Sequence, residues 1–239
     1  MPFRTFTARL TRSLSLSDQT KHLEFEMQGI PRFDFVAGQW LSLKHSDSAG
    51  QEITRAYSIA SPPEEGNGFA LCLNRVPHGF MSNFLCDLRE GEELSCQGPF
   101  GDFILRPPVR DTIFIATGTG IAPFRSMLRW VFGKDARHQG KQFWLVFGNR
   151  FEADVYYHRE FVRLASEHAN FHYLPTLSRG GTEWTGRRGY VQDHVAATLA
   201  GRSDIEAYVC GLDKMVQANR DLLEGLGWEP KAIRYEKYD

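Results

Sequence analysis

The spacing of the apolar residues changes at Arg106-Pro107-Pro108, and this change constrains the fold of the 239-residue chain more than any other feature. Before it, short segments of alternating apolar and polar residues are separated by Gly, Pro, Asn and Ser, which is typical of a closed antiparallel barrel. After it, short apolar strands alternate with helical segments, which indicates a parallel sheet covered on both faces. We therefore predict a two-domain β + α/β protein, with an antiparallel β-barrel domain at 1–106 and a parallel α/β domain at 107–239.

Two helix starts can be predicted from residue type. Ser82 is of a type that caps helix N-termini, so the one helix of the barrel domain should begin there. Pro123 suits the first position of a helix, where an N–H would have no partner within the helix. Further helices are predicted over 155–167, 192–199 and 214–223. Strands are predicted over 6–11, 23–27, 40–44, 54–59, 69–76, 112–116, 143–147, 171–177, 206–210 and 233–238.

Composition excludes several classes of function. A net charge of −1 gives no global field that would attract nucleic acid or an anionic membrane. The apolar stretches fall short of the roughly 18 residues that a membrane-spanning helix needs. The start of the chain is rich in Arg and Ser, as a transit peptide is, but Phe6, Ala8 and Leu10 alternate with polar residues and favour a strand. Because no signal peptide is visible, we expect a cytoplasmic protein.

The four cysteines occur singly, with no C-x-x-C pair. This spacing argues against a zinc site, a disulfide framework or a built-in iron–sulfur cluster, so no bound metal is expected. The cysteines are Cys72, Cys86, Cys96 and Cys210.

The segment from Thr117 to Phe124 reads TGTGIAPF and lies between a predicted strand and a predicted helix. Glycines let a backbone approach a ligand closely, and the unpaired N–H groups of a first helical turn suit a pyrophosphate. Because Pro123 stands where the dinucleotide fingerprint has its last glycine, a tight turn without a ligand explains the segment equally well.

Arg55-Ala56-Tyr57-Ser58 combines three chemistries useful to a flavin. A guanidinium matches phosphate oxygens, a tyrosine ring can stack on a ring system, and a serine hydroxyl can donate to a ring nitrogen. Taken alone, an aromatic residue on a barrel strand beside a solvated arginine is the better explanation. Gly79-Phe80-Met81-Ser82 is a second loop that leads into a helix, and thus either a second anion site or an ordinary helix cap.

Five segments in this order resemble the ferredoxin–NADP⁺ reductase family, its plant-type branch in particular. The resemblance covers residues 35–239. Ser178-Arg179 with Arg187, which resembles the family's clamp for a nucleotide 2′-phosphate, is more similar to the clamp of bacterial members. The segments are RAYSIAS at 55–61, SNFLCDL at 82–88 with GPFG at 98–101, TGTGIAPFRS at 117–126, CGL at 210–212 with Met215, and EKY at 236–238.

The resemblance implies an FAD site on the barrel. Tyr57 would stack on one face of the isoalloxazine, Ser58 would hydrogen-bond near flavin N5, and Arg55 with the Gly79–Ser82 loop would hold the pyrophosphate. Cys72 and Asn74 would line the ribityl region. The implied FAD residues are Arg55, Ala56, Tyr57, Ser58, Cys72, Asn74, Gly79, Phe80, Met81, Ser82 and Tyr238.

The resemblance also implies an NADP(H) site on the α/β domain. Cys210 and Glu236 would border the nicotinamide pocket, and Tyr238 would cover the second flavin face until nicotinamide displaces it. A dianionic 2′-phosphate favours a guanidinium and a hydroxyl, as in Ser178-Arg179, whereas an NAD site would favour an acid. The implied catalytic residues are Ser58, Cys210, Glu236 and Tyr238. The implied NADP(H) residues are Thr117, Gly118, Gly120, Asn149, Arg150, Ser178, Arg179, Arg187, Gly211 and Leu212.

The sequence departs from the plant-type pattern in three places. Asn74 replaces a basic residue, no tyrosine follows Val76-Pro77 to stack on the FAD adenine, and Asp239 follows the terminal aromatic residue. Adenine placement therefore does not follow from the resemblance, and Asp239 could ease displacement of Tyr238.

The activity implied is hydride transfer between nicotinamide C4 and flavin N5, with single electrons exchanged with a ferredoxin or a flavodoxin, in a monomer. Rival interpretations are an NADH-linked reductase component of an oxygenase, a free-flavin reductase and a flavin-binding module without turnover. Arg179 argues against the first of these rivals, because it suits NADPH.

Overall fold

The structure is a computed structural model that describes residues 5–47, 49–63 and 66–238. The chain divides into two compact units. The first contains the chain up to Leu105 together with Arg125–Gly133, and the second contains Arg106–Phe124 and the chain from Lys134 onward. The assignment of 1–106 and 107–239 as separate domains stays a prediction.

The first unit is built on a six-stranded antiparallel sheet. A bridge between Ile59 and Leu71 joins the two edges of this sheet, and the Ala60 N–H donates to the Ala70 carbonyl at 2.7 Å. The sheet therefore closes on itself, as predicted for a barrel. The strands, in the spatial order β4-β3-β6-β1-β2-β5, are β1 (Thr5–Ser15), β2 (Thr20–Met27), β3 (Trp40–Ser46), β4 (Glu52–Ser58), β5 (Gly68–Asn74) and β6 (Glu93–Phe100).

Apolar side chains at alternate positions of the strands form the core of the barrel. Leu23, Phe25 and Met27 of β2 are buried, because successive side chains of a strand point to opposite faces. The only helix lying wholly in the described part of this unit, α1 (Phe80–Asp87), packs against β4 and β5.

The second unit is built on a six-stranded parallel sheet. Its spatial order is β10-β9-β8-β7-β11-β12. The chain therefore adds β8, β9 and β10 on one side of β7 and then β11 and β12 on the other side. In sheets of this kind ligands bind beyond the carboxyl ends of the strands at such a reversal. The strands are β7 (Thr112–Thr117), β8 (Phe143–Asn149), β9 (Phe171–Leu177), β10 (Arg187–Arg188), β11 (Glu206–Leu212) and β12 (Ile233–Tyr238).

Four further helices follow strands of this sheet. Three of them begin elsewhere than predicted, the last by a single residue, at Asp213 instead of position 214. A 3₁₀ turn at Gly118–Gly120 precedes α2, so Pro123 is its third residue rather than its first. The start predicted at Val155 is also wrong, because Tyr157 adopts a left-handed φ of 58° and interrupts the helix before His158. The helices are α2 (Ile121–Val131), α3 (His158–Glu167), α4 (Gln192–Leu199) and α5 (Asp213–Gly225).

The prediction that Ser82 caps α1 is wrong. The helix begins at Phe80 with Gly79 at the cap position, and Ser82 lies inside the first turn. The Ser82 hydroxyl instead accepts the Val76 N–H and donates to the Gly79 carbonyl, both at 3.1 Å. Ser82 thus fixes the loop that enters the helix rather than the helix end itself.

No helix in the described ranges combines the length and the apolar character that crossing a bilayer requires. Within the same ranges no group of three or more His, Cys, Asp or Glu side chains is placed to hold a metal ion.

Candidate functional site

The first candidate site in the barrel unit lies on β4. Arg55 and Ala56 are exposed, Tyr57 is half-buried against the barrel core, and Ser58 is buried. Burial, with a smaller contribution from the nearby Cys86 thiol, raises the pKa of Tyr57 to about 12, so its hydroxyl stays protonated at neutral pH. The strand therefore offers a neutral aromatic group and an exposed guanidinium two residues apart, as a flavin and its phosphates require.

The N-terminus of α1 is a second part of this candidate site. No side chain caps the helix, which leaves the N–H groups of its first turn to an external acceptor. A Cβ at Gly79 would lie 2.7 Å from the Ser82 hydroxyl oxygen and 3.0 Å from the Val76 Cβ, so the loop needs glycine here. An uncapped helix end next to β4 fits a pyrophosphate.

Four other residues predicted to bind FAD contribute mainly to the barrel. Met81 is a core residue, and the Phe80 ring stacks on His45 with centroids 5.8 Å apart. Asn74 accepts a hydrogen bond from the Thr20 hydroxyl at 2.5 Å, and Cys72 is buried beside it on β5. Their roles toward a cofactor stay predictions.

The carboxyl end of β7 forms the candidate pyrophosphate site of the α/β unit. Gly118 has a φ of 54°, and a Cβ there would meet no atom within 4 Å, so its backbone faces open space. Gly120 is the opposite case, because a Cβ would lie 2.6 Å from the carbonyl carbon of Cys210 and closer still to its oxygen. One glycine thus exposes the backbone, and the other lets the turn lie against β11.

The Thr117 hydroxyl supports a ligand at this turn. It is buried, and among the described residues it has no hydrogen-bond partner. A buried polar group of this kind normally finds a partner, so the open turn and the unpaired hydroxyl together fit a bound dinucleotide.

Cys210, Glu236 and Tyr238 meet near the carboxyl ends of β11 and β12. Cys210 is directly opposite Glu236, and Tyr238 is opposite the exposed Leu212. Burial raises the pKa of the Cys210 thiol well above its ordinary value, and the Glu236 carboxylate acts in the same direction. A hydrogen bond with the Tyr238 side chain opposes this shift. The site therefore presents a neutral thiol beside a carboxylate and a phenol, while Asp239 lies outside the described residues.

We expect the native protein to resist thiol reagents at pH 8. All four cysteines are buried, and burial raises the pKa of Cys86, of Cys96 (to about 12) and of Cys210. Because the thiolate is the reactive form, its fraction grows only as the pH rises toward these elevated values. Titration with a chromogenic disulfide should find four thiols after denaturation and fewer than one before it. Rapid native labelling of Cys210 would contradict this assignment.

The candidate 2′-phosphate site follows β9. We use the name clamp loop for residues 178–190, which carry exposed Arg179 and Arg187. No ion pair engages either of these guanidinium groups among the described residues. The Ser178 and Arg179 N–H groups donate to the carbonyls of Asn149 and Arg150, which holds the loop beside the end of β8. With its amide nitrogen oriented toward the Gly148 and Asp154 carbonyls, the buried Asn149 side chain can donate to both, at 3.2 and 2.9 Å, and so stabilise the same turn.

Two features of the clamp loop were not predicted. Arg188 donates to the carbonyls of Gly180, Gly181 and Trp184 at 2.8, 2.7 and 2.9 Å, so its guanidinium braces the loop. Tyr190 is 64% exposed and lies two residues after the arginine pair. An exposed aromatic face beside basic residues could stack on a purine, and the run Arg187-Arg188-Gly189-Tyr190 is the signal that could have indicated it.

Comparison with known proteins gives a family assignment for each unit. A profile described as an oxidoreductase FAD-binding domain matches residues 7–104, and one described as an oxidoreductase NAD-binding domain matches residues 114–221. Ferredoxin–NADP reductase B of Sorangium cellulosum is 42% identical, over 98% of this chain and 98% of that protein. The glycine betaine monooxygenase reductase subunit of Pseudomonas aeruginosa is 33% identical, over 86% of this chain and 57% of that protein.

Solved structures show the same fold. A cytochrome P450 reductase from Amycolatopsis superposes with a TM-score of 0.87 at 29% identity, covering 99% of this chain and 70% of that one. A ferredoxin NADP⁺ reductase from Neisseria gonorrhoeae, solved with bound FAD and NADP, superposes with a TM-score of 0.83 at 18% identity, covering 98% of both chains.

Proposed function

We propose, from the premise that this chain belongs to the ferredoxin–NADP⁺ reductase family, that it exchanges electrons between NADPH and a one-electron carrier. Its two units are FAD- and NAD-binding oxidoreductase domains. One observation carries the proposal. At the turn after β7, Gly118 leaves the backbone exposed to a ligand, and Gly120 lets the same turn pack against Cys210, which lies opposite Glu236. An anion cradle and a group of candidate catalytic residues therefore share one edge of the sheet.

The barrel residues fit FAD, which when bound accepts a hydride and releases its electrons one at a time. Arg55 and the first turn of α1 would hold the pyrophosphate, because an exposed guanidinium and an uncapped helix end both offer donors to phosphate oxygens. Tyr57 would supply a flat face, and its raised pKa keeps negative charge away from that face at neutral pH. Ser58 would supply a hydroxyl donor.

The α/β residues fit NADPH. The turn at Gly118–Gly120 would bind the pyrophosphate, and Arg179 with Arg187 would bind the 2′-phosphate. Cys210 would line the nicotinamide pocket as a neutral thiol, adding no second negative charge next to Glu236. Tyr238 holds the Cys210 sulfur by a hydrogen bond, so it would both position the thiol and border the pocket.

The carrier that we propose is a ferredoxin or a flavodoxin. The relative covering nearly the whole chain is named a ferredoxin–NADP reductase. A second candidate function is that of an oxygenase reductase component, which the 33% identity with a monooxygenase reductase subunit favours. The nucleotide distinguishes the two functions. The oxygenase reductase component would be NADH-linked, whereas Arg179 and Arg187, which have no ion pair among the described residues, suit NADPH.

An anaerobic titration of the purified yellow protein with NADPH, monitored by visible absorbance, tests the function. We expect NADPH to bleach the flavin and NADH to do so much less efficiently. Reoxidation by added ferredoxin or flavodoxin should restore the colour. Equal efficiency with both nucleotides would favour the oxygenase component, and loss of colour on a desalting column would favour a free-flavin reductase.

A further inference from the structure

We propose that Trp184 is a positioning residue that sets the clamp loop in the shape that distinguishes a nucleotide 2′-phosphate from a 2′-hydroxyl. The inference rests on the proposed function, since it assumes that Arg179 and Arg187 bind that phosphate. Trp184 is half-buried, whereas both arginines are exposed. It lies on the loop that connects them.

The Trp184 indole fills the inside of the loop. A Cβ at Gly180 would approach its Cδ1 to 3.2 Å, and a Cβ at Gly186 would approach its Cζ2 to 2.5 Å. These two glycines directly follow Arg179 and directly precede Arg187. The indole therefore packs against the two glycines adjacent to the clamp arginines.

Hydrogen bonds from both the side chain and the backbone of Trp184 hold it to the rest of the loop. The indole Nε1–H donates to the Arg187 carbonyl at 2.8 Å, and the Trp184 N–H donates to the Gly181 carbonyl at 3.2 Å. Arg188 bonds three carbonyls of the loop, including that of Trp184. The loop is thus folded around the indole by contacts that leave the side chains of Arg179 and Arg187 outside the hydrogen-bond network.

The indole also lies near a ring from the body of the α/β unit. The His158 ring at the start of α3 lies 6.5 Å from the Trp184 ring, centroid to centroid. The His158 Nδ1 is in turn 3.2 Å from the Tyr173 hydroxyl of β9. Trp184 therefore connects an exposed loop to a helix and a strand.

This arrangement should matter for the phosphate more than for the rest of the nucleotide. Two guanidinium groups bind one phosphate well only if their backbones are already held in place, because each rotamer-rich side chain ordered on binding costs affinity. Without the indole, the glycine-flanked loop samples many more conformations. We expect the Michaelis constant for NADPH to rise while kcat and the constants for NADH stay nearly unchanged.

The test compares Trp184→Ala, Trp184→Phe and Trp144→Phe in the FAD-loaded full chain with NADPH and NADH. Trp144 is a half-buried tryptophan near the start of β8, at the opposite end of the sheet, and is the matched control. Trp184→Ala should lower the NADPH-to-NADH ratio of kcat/KM by about 10-fold, the scale of one charge-assisted hydrogen bond. Trp184→Phe keeps an aromatic ring but loses the Nε1–H bond, and should lower the ratio by about 3-fold.

Binding of 2′,5′-ADP, measured by calorimetry, provides a readout independent of turnover and should weaken in the same order. An unchanged ratio and unchanged 2′,5′-ADP affinity in both Trp184 variants would overturn the inference while the proposed function stands. Equal losses with NADPH and NADH would also overturn it, because they would indicate general damage. If the unmutated enzyme itself does not prefer NADPH, the proposed function fails first and the inference falls with it. Should Trp184→Ala not fold, the Trp184→Phe arm decides.

Discussion

Replacing Arg179 with alanine is expected to lower kcat/KM for NADPH by about 30-fold and to leave kcat/KM for NADH within about twofold. The change removes a charge-assisted hydrogen bond to the 2′-phosphate, which is worth about 2 kcal/mol. NADH has no phosphate at that position, so it loses nothing. Since Arg179 is exposed and unpaired within the described chain, its removal leaves no buried charge behind. Initial rates with both nucleotides give the ratio directly.

The matched control is Arg163→Ala. Arg163 is an exposed arginine of α3 that pairs with Glu167 at 2.7 Å, and an exposed pair of this kind contributes little to stability. This variant should behave like the unmutated enzyme with both nucleotides. An Arg179→Ala enzyme that keeps the original NADPH-to-NADH ratio would show that the clamp assignment is wrong.

Local sequence signals predicted the architecture because each depends on near neighbours. The alternation of Leu23, Phe25 and Met27 indicates a strand with one buried face, and it needs no knowledge of the partner strands. The Gly118–Gly120 turn is likewise local, since a strand, two glycines and a helix follow one another directly. The parallel sheet agrees with this prediction, whereas the reversal of strand order at β7 was not predicted.

The misplaced start of α1 has a local cause that residue type does not reveal. Ser82 has the composition of a cap, but its hydroxyl is drawn to the Val76 N–H and the Gly79 carbonyl of the preceding loop. Residue type alone cannot distinguish these two roles. The resemblance implies a cofactor role for Asn74, but it does not reveal the hydrogen bond with Thr20, which is remote in sequence and adjacent only once β2 and β5 pair.

The parts of the candidate site that sequence analysis missed depend on contacts across a loop. In the sequence Trp184 is an isolated aromatic residue, and only the structure shows that Gly180 and Gly186 pack against it. In the sequence Arg188 is one basic residue among several, and only the structure shows that its guanidinium donates to three carbonyls. Motifs identify groups that touch a ligand, whereas the residues that hold those groups in place follow no local pattern.

Replacing Gly120 with alanine is expected to destabilise the α/β unit by about 3 kcal/mol, the upper part of the range for an overpacked position. The new methyl group would lie 2.6 Å from the Cys210 carbonyl carbon and 2.9 Å from the Gly211 Cα. Both are backbone atoms of a central strand, so they cannot rotate away as a side chain could. The turn must separate from β11, which should lower the melting temperature by roughly 6–12 °C and also reduce kcat by displacing Cys210.

Gly118→Ala is the matched variant, because it adds the same methyl group two residues away in open space. Its φ of 54° costs an alanine about 1 kcal/mol, so the melting temperature should fall much less than in Gly120→Ala. The added methyl group would face the pyrophosphate, which both nucleotides share, so KM should rise about equally for NADPH and NADH with kcat retained. The two variants thus separate the glycine that seats the turn from the glycine that opens it to a ligand. Equal stability losses in both variants would show that Gly120 is not the residue that lets the turn pack against β11. A Gly118→Ala enzyme with unchanged KM values would show that the turn does not bind the pyrophosphate.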